Sequence, residues 1–253
     1  MFRVIINSLT SMTDDITKHQ ETFNIRASEV GSRGQITLPA LCSLLQEVAG
    51  NHALKLNFDI SQLHEQDLTW VLHRMDIKID RYPNWREKIS IETWPAAGDA
   101  LRAYRNYRIL DEEGKQIGTC LSYWMMINLN TRKPTRMPQE VLDLRLSDID
   151  HVMPVKSERL KSFEDADHSK KFVVRNSDLD MNDHVNNARF VEWLMETYDE
   201  EKAYLIKNMD IIFLRESRAG DMITSERKIE EHQNYRHQLK NQDGNILALA
   251  ACS

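Results

Sequence analysis

A chain of 253 residues with 41% hydrophobic and 28% charged residues has the composition of a globular protein able to bury a substantial core. Its net charge of −6 argues against generic nucleic-acid binding, and its three cysteines, Cys42, Cys120 and Cys252, lie too far apart for a zinc site or a disulfide framework. No apolar run approaches the ~20 residues of a membrane-spanning helix. The opening MFRVIINSLTSM is too short in apolar residues for a secretory signal, so a reducing, cytoplasmic setting is expected. Met12 is a possible alternative start, and residues 1–20 are expected to form an N-terminal extension.

Residues 21–26 alternate as a strand does, with Phe23 and Ile25 on one face. Gly31, Ser32 and Gly34 mark a loop. Pro39 suits the first turn of a helix, and Leu41, Leu44, Leu45, Val48 and Ala49 then recur at helical spacing to about Lys55. Three strand regions follow. Residues 69–82 carry Val71, Ile77 and Ile79; residues 88–94 alternate through Ile89, Ile91 and Thr93; residues 102–110 lead through Asp111-Glu112-Glu113-Gly114 into residues 116–129 as a hairpin. The tryptophans and tyrosines of this region are expected to pack a core, since aromatics favour sheets. Residues 131–170, rich in charge and holding Pro134, Pro138 and Pro154, are expected to be a linker with a short helix over 139–144.

Beyond the linker the pattern repeats. A constant offset of 149 pairs Phe23 with Phe172, Ile25 with Val174, Leu41 with Phe190 and Leu45 with Leu194. An offset of 134 pairs Met75-Asp76-Ile77 with Met209-Asp210-Ile211, and one of 130 pairs Gly114 with Gly244. A strand, a helix and an antiparallel meander, occurring twice, predict a duplicated α+β unit. Its first copy spans 21–130 and its second 171–253.

The copies differ where chemistry is concentrated. In the second, NSDLDMNDHVNNARFVEWLMETY (176–198) places Asp180, Asn182 and His184 at alternate positions before a helix. Asn186 or Asn187 would cap that helix, and Phe190, Val191, Leu194, Met195 and Tyr198 give it an apolar face over 186–199. Were the segment extended, the three polar side chains would share one wall of a pocket, next to the free amides of the helix start. The first copy holds Gly31, Arg33 and Gln35 at the equivalent positions, and Tyr82 where the second has Glu216. A loop that only caps a helix has no reason to diverge in this way. A calcium loop is excluded, because its sixth and twelfth positions need Gly and Glu and hold Asp183 and Arg189.

The segments FNIRASEVGSRGQITLPALCSLLQEVAGNHA, WVLHRMDIKIDRYPNWREKISIETWPA, SDLDMNDHVNNARFVEWLMET and FLRESRAGD together resemble the acyl-acyl carrier protein thioesterases, plant plastid and bacterial enzymes. The resemblance runs from about residue 20 almost to the C-terminus, and its most specific part is DxNxHVNN at 180–187. It implies a double hotdog fold, two long helices each wrapped by a curved antiparallel sheet, with the second unit catalytic and the first enclosing substrate. It also implies the catalytic set Asp180, Asn182, His184 and Glu216, with no cofactor and no metal. Plant members typically carry Cys after the Glu, where this chain has Ser217, so a cysteine nucleophile does not transfer.

The chemistry fits those residues. A thioester needs an activated water and an oxyanion stabiliser, and a carboxylate can serve as general base. Glu216 is expected to be that base, with Asp180 and His184 orienting one another and the thioester, and Asn182 holding the imidazole or the water. Asp180 as base or nucleophile is the alternative. Since Glu216 and Ser217 are adjacent on an apparently extended segment, their side chains are expected to face opposite ways. No GxSxG elbow is present. The implied partner is an acyl carrier protein bearing a phosphopantetheine-linked fatty acyl chain, met by a monomer or homodimer through local basic ground. Candidates for that ground are Arg132, Lys133 and Arg136, or Lys156, Arg159 and Lys161. An acyl-CoA thioesterase or hydroxyacyl dehydratase on the same fold, or a non-catalytic acyl-binding protein, is the alternative function.

Overall fold

The computed structural model describes residues 17–96, 98–144, 151–199 and 203–253. Met12 and most of the expected N-terminal extension lie outside them, as do six residues of the expected linker. The first unit runs β1 (His19–Asn24), α1 (Leu38–Lys55), a short α2 (Ile60–His64), β2 (Leu68–Ile79), β3 (Lys88–Ala96), β4 (Arg102–Leu110) and β5 (Gln116–Asn128). The connection holds β6 (Lys133–Pro134) and α3 (Gln139–Asp143). The second unit then runs β7 (His168–Val173), α4 (Asn187–Met195), β8 (Asn208–Phe213), β9 (Met222–Ile229), β10 (Tyr235–Lys240) and β11 (Ile246–Cys252). This is the α+β double hotdog expected from the sequence; the short α2, capped by Asp59, was not legible in it.

The strands form one sheet in the order β1-β3-β4-β5-β2-β8-β11-β10-β9-β7, with β6 beside β5. The two units meet where β2 pairs antiparallel with β8, and there Asp76 stands opposite Asp210, its own repeat partner. The duplication therefore places a pseudo-twofold between these two residues. On β2, Met75, Ile77 and Ile79 face the helices and join the core, so Arg74, Asp76 and Lys78 face the other way.

On that outer face two central carboxylates require cations. Arg74 donates to Asp210 from Nε at 2.7 Å and Nη2 at 2.6 Å, and Lys156 reaches Asp76 at 2.9 Å and Asp210 at 3.4 Å. Burial raises the pKa of Asp76, and Lys156 opposes that shift. Removing one member would strand a buried charge, at a cost of about 3–5 kcal/mol. Residues 131–170 are thus more than a connector. Lys156 locks the unit boundary, the Phe163 amide donates to Gln238 at 3.1 Å, and Met137 and Val141 pack with Leu63 and Met126 in a second small core.

α1 begins at Thr37, whose Oγ1 accepts from the Ala40 amide, a cap worth about 1 kcal/mol. Leu41, Leu45 and Val48 are fully buried against the sheet, each contributing about 1.5–3 kcal/mol. α4 packs against α1, with Phe190, Val191 and Leu194 in the same core. It is half as long, 9 residues against 18, and stops at Met195 rather than running to 199. Thr197 donates its hydroxyl back to the Leu194 carbonyl, and Tyr198 leaves the helix to reach His237 Nε2 at 2.7 Å.

Candidate active site

The loop between β7 and α4 is built by a charged pair. Asp178, 1% exposed, accepts from the amide and guanidinium of Arg175, and these bonds outweigh burial to hold its carboxylate below the ordinary range. The Asp178 carbonyl accepts the Asn186 amide, and Leu179 bridges Val185, pinching residues 180–184 into a tight turn. The Asp180 amide donates to the His184 carbonyl at 2.8 Å, and Asp183 takes φ 59°. The segment is therefore not extended, and alternation is not what groups its side chains. The turn nevertheless presents Asp180, Asn182 and His184 to one cleft.

Their roles in the turn differ. Asp180 Oδ1 accepts the amides of Asn182 at 2.8 Å and His184 at 3.4 Å, so it holds His184 through the backbone and not through the imidazole. Asn182 is exposed, and its side chain makes no hydrogen bond to a described residue. Asn186 caps α4 by accepting from Ala188 at 2.8 Å. The amide of Asn187 has no protein acceptor among the described residues, and Asn187 lines the cleft.

Glu216 comes from the other side. It stands in the coil beyond β8, not on a strand, and its Oε2 lies 3.4 Å from His184 Nε2. Arg132, just past the end of β5 and at φ 56°, donates Nη2 to the same oxygen at 2.5 Å. Nothing in the sequence ties Arg132 to a residue 84 positions away, and only the closure of the sheet brings them together. Ser217 turns inward, is 2% exposed and donates to Asp221 at 2.8 Å, away from His184. Burial favours the protonated form of Asp221, but the Arg218 amide and the Ser217 hydroxyl outweigh it and lower its pKa. No Ser/His/Asp relay assembles here. Ser217 instead pins the loop through its carbonyl, which accepts from Val185 at 3.1 Å.

The cleft behind these groups has a volume of about 1390 Å³. Beyond the polar mouth it is lined mainly by the first unit, with Ala49, Ala53 and Leu54 of α1 above, and Trp70, Leu72 and Trp124 of the sheet below. Trp94 and Tyr107 are core residues as expected, whereas Trp70 and Trp124 are both packing and wall. Of the basic groups, Arg132 belongs to the mouth, with Arg215 and Arg218; Lys156 is committed to the outer face.

Known proteins share this architecture. Residues 16–144 match the model of the acyl-ACP thioesterase N-terminal domain, and residues 161–253 that of the C-terminal domain. The oleoyl-acyl carrier protein thioesterase of Coriandrum sativum is 31% identical over 241 residues, covering 86% of this chain and 64% of that protein. The oleoyl-acyl carrier protein thioesterase 1 of Arabidopsis thaliana is 30% identical, covering 86% and 65%. The chain thus spans a little under two thirds of these plant relatives. The crystal structure of an acyl-ACP thioesterase from Bacteroides thetaiotaomicron superposes with a TM-score of 0.86 at 26% identity, covering 95% of this chain and 98% of that one. With both halves of the family's architecture matched in order, the chain belongs to the acyl-ACP thioesterase family.

Proposed function

We propose that the protein hydrolyses fatty acyl-ACP, releasing the free fatty acid and the carrier's thiol. The observation that supports this most is the meeting of Glu216 and His184, at 3.4 Å, over a long cleft with apolar walls. The acyl chain enters the cleft and sets its thioester at the mouth. Glu216 takes a proton from a water that attacks the carbonyl carbon, a contribution of about 10²–10⁴-fold. His184, beside Glu216, orients that water, takes the proton from Glu216 and passes it to the departing sulfur. The free amide of Asn187 faces the oxygen that becomes negative, where one such donor is worth roughly 3–4 kcal/mol. Asp180 acts one step back, by shaping the turn that aims His184, and Asn182 fills the rim where pantetheine would pass.

The division of labour follows the units: residues 171–253 supply the chemistry, and 21–130 enclose the chain. Arg132, Arg215 and Arg218 offer a basic rim to an acidic carrier, so the net charge of −6 does not oppose docking. Both partners would meet in the cytoplasm. Among the described residues no helix is long and apolar enough to cross a membrane. The test is steady-state hydrolysis of acyl-ACP across chain lengths, with matched acyl-CoA as control. The reading expects turnover with kcat/KM higher on the carrier protein. Preference for CoA, or hydration of an enoyl thioester without hydrolysis, would replace it.

A further inference from the structure

The inner end of the cleft is not apolar. On β4, Arg105 alternates with Ala103 and Tyr107 on the face turned toward α1, and it lines the cleft beneath the C-terminal half of that helix. Its Nη1 donates to His52 Nδ1 at 2.8 Å and to Thr93 Oγ1 at 3.3 Å. The acceptors are a ring nitrogen and a hydroxyl. No described carboxylate pairs with it: Glu21 is on His19, and Asp99 is on Arg102. The Nε and Nη2 donors have no protein acceptor among the described residues and are not sealed from solvent, so they open on the cleft. Burial lowers the pKa of this guanidinium, against a smaller opposing influence of Tyr107. Arg105 is half-buried, and a chain that fills the cleft would desolvate its open donors, a cost repaid only by an anion or a full set of acceptors.

Its position suits a chain end. Strand β4 lies three strands from β8, and at ~4.8 Å per strand the separation is about 14 Å, with Glu216 lying further on past the end of β8. An acyl chain with its thioester at the mouth therefore points its far end toward Arg105. A methyl terminus there would strip water from the open donors and give nothing back. A carboxylate would accept from the guanidinium fork and supply a charge that no described carboxylate provides. In the second unit the position equivalent to Arg105 is Tyr235, and the buried arginine there, Arg227, stacks on Tyr198 and Tyr235 and does not line the cleft.

We propose that the cleft is built for acyl chains whose far end carries a carboxylate, and that Arg105 is the residue that reads this end. The inference rests on the thioesterase reading for the thioester end alone. Two measurements separate the claims. Binding of non-hydrolysable acyl-pantetheine amides, ω-carboxylated or methyl-terminated at matched length, is followed by calorimetry and tests Arg105 without turnover. Hydrolysis of the corresponding acyl-ACP pairs tests the thioesterase reading. We expect the ω-carboxylated amide to bind ~10–100-fold more tightly than its methyl partner, the scale of a charge-assisted bond. In Arg105→Met that order reverses, and Arg105→Lys, which keeps the charge but loses the fork, falls between. Equal or tighter binding of the methyl-terminated amide by the unmodified protein at every chain length would overturn the proposal, whether or not either thioester is cleaved. A carboxylate preference in binding without cleavage would leave the Arg105 assignment standing and remove the thioesterase reading.

Discussion

The two loops that precede the two long helices share a backbone and differ in their side chains. Gly31 donates its amide to Gln35 as Asp180 does to His184, and Gly34 donates to Gly31 as Asp183 does to Asp180. Ile36 donates to Pro83 as Val185 does to Ser217, and Thr37 to Glu29 as Asn186 to Asp178. Gly34 at φ 71° and Asp183 at φ 59° make the same left-handed step. In the first loop this frame serves packing: Gly31 has no room for a side chain against the Tyr204 hydroxyl, and Arg33 lies over the Tyr204 ring. In the second it carries Asp180 and His184, and Glu216 replaces Tyr82, which in the first unit is buried and donates to the Ile206 carbonyl. The space beneath the helices is divided the opposite way. Ala49 leaves a cleft under α1, whereas its equivalent, Tyr198, fills the corresponding space beside α4 and lies over the fully buried Arg227. On the proposed function, one unit keeps the room and the other the chemistry, and the cleft is lined by both.

That division is broken most severely at Glu216. Glu216→Gln should lower kcat by ~10²–10⁴-fold with little change in KM, since the carboxylate acts on the water in the transition state. A variant retaining more than a tenth of wild-type turnover would remove it as the base. Next comes the filled half. Tyr198→Ala should cost about 3–5 kcal/mol in urea unfolding, because it opens a cavity and strands His237 and Arg227. A cost under 1 kcal/mol would mean that the second unit tolerates a cleft as well as the first.

Acid should also act through the filled half. Burial, helped by Arg227, pulls the pKa of His237 down to about 3. A folded-state pKa below the unfolded value means that the unfolded chain takes up the proton first. The stability from keeping His237 neutral is therefore complete above about pH 6.5 and is lost as pH falls toward 3, at roughly 1.4 kcal/mol per unit. Unfolding at pH 7.5 and 5.0 should show this slope in the wild type and its reduction in His237→Phe; equal slopes would place the acid sensitivity elsewhere. The smallest effect concerns Ser217. Ser217→Ala should keep kcat within about threefold and cost about 1 kcal/mol for the bond to Asp221. A trapped acyl-serine in mass spectrometry would instead make it a nucleophile.

The duplicated frame was open to reading because its signals are local and periodic. Leu41, Leu45 and Val48 at helical spacing point to α1, and constant offsets match Asp76 to Asp210 as repeat equivalents, whereas their pairing across β2 and β8 appears only in the structure. The Asp180–His184 cluster was found by composition, yet its turn was not, since polar residues at alternate positions fit a strand as well. The end of α4 was missed because Tyr198 keeps the helical phase while its hydroxyl is bound to His237 on a distant strand. Arg132 beside Glu216, Lys156 between Asp76 and Asp210, and Arg105 inside the cleft all depend on closure of the sheet. No sequence window contains both members of such contacts.

The most direct test of unequal halves over a common frame compares equivalent positions in the two loops. Turnover of one acyl-ACP substrate would be measured with wild type, His184→Ala and Gln35→Ala, each checked for folding by thermal unfolding. The account predicts a loss of at least ~10²-fold in kcat for His184→Ala and a rate close to wild type for Gln35→Ala. Comparable losses in the two variants, or full activity in folded His184→Ala, would contradict it.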